Sequence, residues 1–282
     1  EIDEELTSLS WESIQREWAP SQGHTRKSRS LILRLSIAAS VLILLGIAVW
    51  AWMHREVMVK YQTGYGQVKE IVLNDQSVVR LNANSKMYWD SNWKRRGERN
   101  VRIEGEAFFE VSHDVDNRFF VTTPDLTVMV TGTSFNVSNR HEKTKVFLET
   151  GEVYLKLNRE DPKEENGGLD QMVEPGEVKL IPGELLSYSR ASEEVERVDN
   201  LTAEQAASWK TGELIFENIP LRDVLQELSD VYGKSFVVQD STLFDRKIDV
   251  GMPYSDWGTV KELMQFMIDV EIAELNNKVT IK

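Results

Sequence analysis

The chain has 282 residues, 46 Asp and Glu against 33 Lys and Arg, and a formal net charge of −13. Such acidity argues against nucleic-acid binding, which needs clustered Lys and Arg to displace counterions from phosphates. With no cysteine, a disulfide scaffold and a thiolate metal site are both excluded.

Residues 1–30 open on Glu1, Asp3, Glu4 and Glu5 and turn basic at Arg26, Lys27 and Arg29. Between them Trp11, Ile14 and Trp18 recur at helical spacing behind a possible N-cap, Ser10, which predicts one short amphipathic helix. The first residue is Glu1, so this tail reads as the remnant of a longer or processed cytoplasmic region. From Leu35 to Met53 no side chain is charged, and Ser36 and Ser40 are the only polar ones. Some 20 helical residues span a bilayer core of about 30 Å, so residues 31–54 are expected to form a transmembrane helix. A cleaved signal peptide would need a shorter apolar core nearer the N-terminus and a small-x-small site after it. The basic flank of Arg26, Lys27, Arg29 and Arg34 places the N-terminus in the cytoplasm and residues 55–282 outside.

After Met58 short apolar runs alternate with turn residues. VKEIVL, SVVRL, KMYW, NVRIEG, AFFEV, RFFVTT, LTVMV, SFNVS, KVFLE and VYLKL read as strands, and VKLIPGELLSYS closes the series. Strands every 8–12 residues without helices between them predict an all-β domain over 60–190, a sandwich or a solenoid-like stack. Gly105 and Gly132 interrupt strand patterns, which marks a bulge or a close backbone approach. Residues 158–170 are almost without apolar side chains and read as a solvated loop. Residues 191–208 carry several acids and no strand signal, and are expected to be a linker or a connecting helix. Over 209–282 a strand (GELIFEN), a helix with Leu221, Val224, Leu225, Leu228, Val231 and Tyr232 on one face, the strands SFVVQ and KIDVGM, a helix using Trp257, Val260, Leu263, Met264 and Met267, and a hairpin on Asn276-Asn277 follow. The order β-α-β-β-α-β-β predicts a small α+β domain.

Chemistry is scarce. His24, His54, His113 and His141 are scattered, without i,i+4 pairs, so a zinc site or hydrolase triad has no support. Gly64-Tyr65-Gly66 precedes no helix and is no phosphate cradle. At Gly132-Thr133 a hydroxyl follows a glycine at a tight bend, the arrangement an N-to-O acyl shift and self-cleavage would need; a β-bulge glycine with a hydrogen-bonding threonine is the plainer reading, and the sequence favours it.

The run EGEAFFEVSHDVDNRFFVTTPDLTVMVTGTSFNVS (104–138) resembles the signature of the FecR family of membrane anti-sigma factors, and GQVKEIVLNDQSVVRLNANSKMYW (66–89) is similar to the family's opening strands. Gln76 stands where that pattern has a turn glycine, and Thr131 where it has an apolar residue. GELIFENIPLRDVLQELSDVYGKSFVV resembles the secretin and TonB short N-terminal domain appended in one branch of the family. The resemblance implies a non-enzymatic inner-membrane regulator without a cofactor. Its partners would be an extracytoplasmic-function sigma factor inside and the signalling domain of a TonB-dependent outer-membrane transporter in the periplasm, with stepwise proteolysis as the release step. Edge strands recruit partner strands, and the expected docking residues are Glu213, Leu214, Ile215 and Phe216 with Val279, Thr280, Ile281 and Lys282. The rival reading is a membrane-tethered scaffold or glycan-binding module, for which Trp89 and Trp93 would have to form an exposed aromatic cluster.

Overall fold

The computed structural model describes residues 26–53, 58–158 and 177–282, in two compact units, 1–55 and 56–282. The expected helix around Trp11–Trp18, residues His24 and His54, and most of the 158–170 loop lie outside the described residues.

In the first unit, helix α1 runs from Arg26 to Met53. Its stretch Arg34–Ala51 is long and apolar enough to cross a membrane, and none of it is buried by protein. The Ser40 hydroxyl donates to the Ser36 carbonyl at 2.6 Å, so this polar atom is satisfied by its own helix and leaves the apolar character of the stretch intact.

The second unit begins with thirteen strands in one hydrogen-bonded network: β1 (Met58–Gln62), β2 (Lys69–Val72), β3 (Val78–Leu81), β4 (Lys86–Asp90), β5 (Arg99–Glu110), β6 (Phe119–Thr122), β7 (Leu126–Val130), β8 (Ser134–Arg140), β9 (Lys143–Thr150), β10 (Val153–Leu157), β11 (Glu177–Leu180), β12 (Leu185–Tyr188) and β13 (Val195–Val198). Strand β5 organises them. The runs NVRIEG and AFFEV, which read as two strands, form this single strand of 12 residues. Its first half pairs with β4 and, in parallel, with β6; from Gly105 onward it pairs with β8 and then β3. The hand-over falls at Gly105, whose φ is +100°. A Cβ there would lie 2.8 Å from the Ser85 Cα, so only glycine lets the strand change partners at this point.

The inner faces of both halves fill one core. Phe109 stacks on Phe135 at 5.1 Å and meets Phe119 edge-on at 6.1 Å, while Trp89 stacks on Phe119 at 5.7 Å. Each aromatic contact adds to the area burial that drives the packing. The buried guanidinium of Arg99 pairs with Asp75 at 3.1 Å and donates to the Asn117 and Ser112 carbonyls at 2.8 Å. A charge this deep is tolerated because its donors are occupied, and it ties the 112–117 loop to the sheet.

The stretch 191–208, expected to be a linker or connecting helix without a strand, is corrected by the structure, which adds the missing strand. Its first part is β13, paired with β12, and its second is helix α2 (Ala203–Ala207), closed by a capping box between Thr202 and Gln205. Val195 packs on the core and Arg197, on the same face, is half-buried, while Glu196 and Val198 face outward, an alternation that the charges obscured. Strand β1 was equally unexpected, and Tyr61 is its contribution to the core.

The remaining elements are β14 (Glu213–Pro220), α3 (Leu221–Tyr232), β15 (Ser235–Val238), β16 (Lys247–Pro253), α4 (Trp257–Ile268), β17 (Ile272–Leu275) and β18 (Lys278–Ile281). They make a two-stranded sheet, β14-β16, and a three-stranded one, β15-β18-β17, in which β15 and β18 are parallel. Pro220 occupies the N-cap of α3, and Gly233 ends it at φ +67° with its N–H on the Ser229 carbonyl. Asp256 caps α4 by accepting from the Thr259 N–H. Helix α4 buries Val260, Met264 and Ile268, one residue in four, so Met267, expected on that face, is left exposed.

Candidate functional site

Strand register places one polar row on the outer face of the β lobe. Glu106 of β5 sits opposite Ser138 of β8, and Ser138 opposite Lys145 of β9. The next row along is Phe108, Asn136, Phe147 and Leu185. Directly paired residues share a face, so these two rows form a floor. Residues of α3 and β14, together with Trp209, close over it and leave a cleft of about 520 Å³.

The lobes are joined around this cleft. The Trp209 indole and the Asn136 amide both donate to Glu106 Oε1 at 2.9 Å, and the Asn82 amide donates to Oε2 at 2.9 Å. The Glu106 carboxylate is therefore bonded to both lobes, with three donors to compensate its charge. Asn82 in turn accepts from the Tyr254 hydroxyl at 3.0 Å, and the Gly66 N–H reaches the Val231 carbonyl at 2.8 Å. His141 Nε2 lies 2.8 Å from Asp230 Oδ2, and Lys210 Nζ lies 2.8 Å from Glu149 Oε1. Ala83 and Phe108 of the β lobe belong to the apolar core of the α+β lobe, so the junction is dry in part and polar in part.

Three groups in the cleft stand apart from this joinery. Asn136 Oδ1 is buried and has no hydrogen-bond partner among the described residues. The side chains of Glu227 and Lys145 are open to the cleft, and neither forms a hydrogen bond or close ion pair there. Although Glu227 is accessible, the surrounding protein and then the Glu106 and Asp230 carboxylates push its carboxyl up to about 7, against the pull of Lys145 and Arg140. Neither row was identified from sequence. Alternation within β5, β8 and β9 was legible, but register across strands depends on pairing that a single strand's pattern does not carry.

The residues singled out from sequence lie elsewhere, or are used differently. Leu214 and Phe216 are core residues. Strand β14 has β16 on one side; on the other the Ile215 N–H donates to Ser208 Oγ at 3.1 Å, with 203–211 lying alongside. Val279, Thr280 and Ile281 lie on the middle strand of their sheet, paired with β15 and β17 at once, and the Lys282 N–H is bonded to the Glu271 carbonyl. The expectation that Val279–Lys282 is an edge is thus overturned, while Glu213–Phe216 lies on a strand with one strand neighbour, its other side partly covered by 203–211. In that sheet the strands with one unpaired side are β15 and β17. Gly132 is needed for close approach, since a Cβ would lie 2.8 Å from the His113 Cα. The Thr133 hydroxyl is buried and donates to the Glu152 carbonyl at 3.0 Å. Trp89 and Trp93 are both buried, and each donates its indole N–H to Asn74 Oδ1 at 3.0 Å, so they do not form an exposed aromatic cluster. No group of three or more His, Asp or Glu suited to a metal occurs among the described residues.

Residues 59–154 match the family model described as FecR protein. Two crystal structures of a candidate anti-sigma factor from Parabacteroides distasonis ATCC 8503, at 2.50 and 1.65 Å resolution, share the fold with TM-scores of 0.63 and 0.64 at 24% identity. They cover 80% and 79% of this chain and 98% of their own, a longer stretch than the family match. No curated protein matches the chain.

Proposed function

We propose that the chain belongs to the FecR family, whose model matches residues 59–154, and that it is a single-pass membrane regulator of a sigma factor. One observation carries this reading: an apolar helix long enough to cross a membrane, with a basic N-terminal flank of Arg26, Lys27 and Arg29, precedes the FecR domain. Lysine and arginine are retained on the cytoplasmic side of a membrane span. The β and α+β lobes then lie in the periplasm, where they contact the signalling domain of a TonB-dependent outer-membrane transporter, while the cytoplasmic side holds an extracytoplasmic-function sigma factor. Regulated proteolysis between the two compartments releases that factor. Strand addition by the transporter domain falls to β15 or β17, the outer strands of the three-stranded sheet. The assignment of a self-cleavage bond to Gly132-Thr133 belongs to the same proposal, and Thr133→Ala should turn two bands on a denaturing gel into one.

A phosphatase fused after Lys282 in a bacterial host should be active, and the complete gene product purified from membranes should retain a sigma factor. An inactive fusion reverses the topology; a correctly inserted protein that retains no sigma factor defeats the regulator. The glycan-binding reading is weakened by the burial of Trp89 and Trp93.

A further inference from the structure

The cleft between the lobes holds two opposite charges that its own walls leave uncoupled at close range. Lys145 rises from the floor on β9, and Glu227 faces it from α3 on the other wall. Asn136, beside Lys145, is the buried acceptor without a partner. Asn136 and Lys145 are diagonal neighbours across β8 and β9, about 7 Å apart at their Cβ atoms. A buried oxygen left unbonded costs roughly 1–3 kcal/mol, and three donors already serve the adjacent Glu106. What the cleft lacks is a donor, cationic by preference, placed between Asn136 Oδ1 and Glu227, with an acceptor for Lys145 a short distance away. At about 520 Å³, it falls in the range of small-molecule sites, roughly 300–1,000 Å³.

We propose that this cleft binds a small zwitterion, a free amino acid or a short peptide held by both of its termini, with its ammonium group on Glu227 and Asn136 Oδ1 and its carboxylate on Lys145 Nζ. Phe147, Ile215 and Phe216 supply the apolar wall for a side chain. The site is independent of the sigma-factor reading, because both lobes contribute to it whatever they report to. Charges from every neighbouring element set its pH response. Glu106 of β5, Arg140 of β8, Lys145 of β9 and Asp230 of α3 all act on Glu227. Of the other charged groups around the cleft, His141 is tied to Asp230, Lys143 to Glu196, and Asp223 sits one turn before Glu227. The ligand ammonium binds the ionised carboxyl, whose pKa without ligand is about 7, so affinity rises with pH through that value.

The test is isothermal titration of the full chain in detergent with each of the twenty amino acids, with Ala-Ala-Ala, and with the same tripeptide acetylated and amidated. Heat from a free amino acid identifies an amino acid as the ligand; heat from the unblocked tripeptide alone identifies a short peptide with both termini charged. The blocked tripeptide should be silent. Glu227→Gln and Lys145→Met, both surface changes, should each weaken binding about tenfold or more, as loss of a charge-assisted bond does. Wild-type binding should be tighter at pH 8 than at pH 6. The proposal is overturned if no probe binds, if the blocked tripeptide binds as well as the free one, or if both variants bind as wild type does.

Discussion

In the β lobe one strand, β5, serves both halves of a thirteen-stranded network, and Phe109, Phe119 and Phe135 are fully enclosed. The α+β lobe spreads its seven elements over two sheets of two and three strands, and Phe266 on α4 remains 86% exposed. A domain of this size buries too little surface to be robust alone. Its core accordingly takes in Ala83 and Phe108 from the neighbouring lobe, and the junction is fastened by Trp209, Tyr254 and the Val231 carbonyl. The larger lobe is self-sufficient, and the smaller one is stable as its dependant.

The strongest challenge to that asymmetry is Gly105→Val. A side chain at φ +100°, 2.8 Å from the Ser85 Cα, is expected to cost about 3 kcal/mol or more. In urea the β lobe should lose its transition and the α+β lobe should fall with it; survival of the smaller lobe's core would refute the dependence. Trp209→Phe keeps the bulk but removes one donor from Glu106, for an expected loss of about 1–3 kcal/mol. Hydrogen exchange should then quicken at the Gly66 amide, which crosses the junction, before it quickens within β5.

A subtler probe separates the lobes by pH. Glu274 accepts from Lys234 at 2.8 Å, from Lys261 at 3.0 Å and from the Trp257 indole at 3.1 Å. The Lys234 bond foremost, then those from Lys261 and Trp257, hold its carboxyl down to about 2, against the opposing effect of burial. A depressed folded pKa stabilises above the unfolded value, near 4.3, and that stabilisation is lost as pH falls toward 2. Melting followed from pH 6 to pH 3 should therefore show the α+β lobe weakening, with a shallower decline in Glu274→Gln. The smallest effect expected is a gain. Gln76 occupies φ +71°, and Gln76→Gly should stabilise the β lobe by a few tenths to about 1 kcal/mol in the same urea assay.

That last position shows how far the sequence could be read. The resemblance marked residue 76 as a turn position suited to glycine, and the backbone there is left-handed. Helices α3 and α4 were legible because their apolar residues repeat at i, i+4, and α3 is bounded by Pro220 and Gly233. Strands β1 and β13 escaped notice because MVKYQ and VERV place charged residues between apolar ones on short stretches. Trp89 and Trp93 showed their size but not their direction, which Asn74 decides from another strand. The cleft was hidden for the same reason: Glu106, Asn136 and Lys145 are brought together by register, and Glu227 reaches them from a different lobe.

The position of β18 between β15 and β17 carries a consequence for cooperativity. Among the described residues neither neighbour has another strand partner, so every ladder hydrogen bond of that sheet runs through Lys278–Ile281. Loosening this one segment frees both outer strands together, and the sheet opens as a unit and not strand by strand.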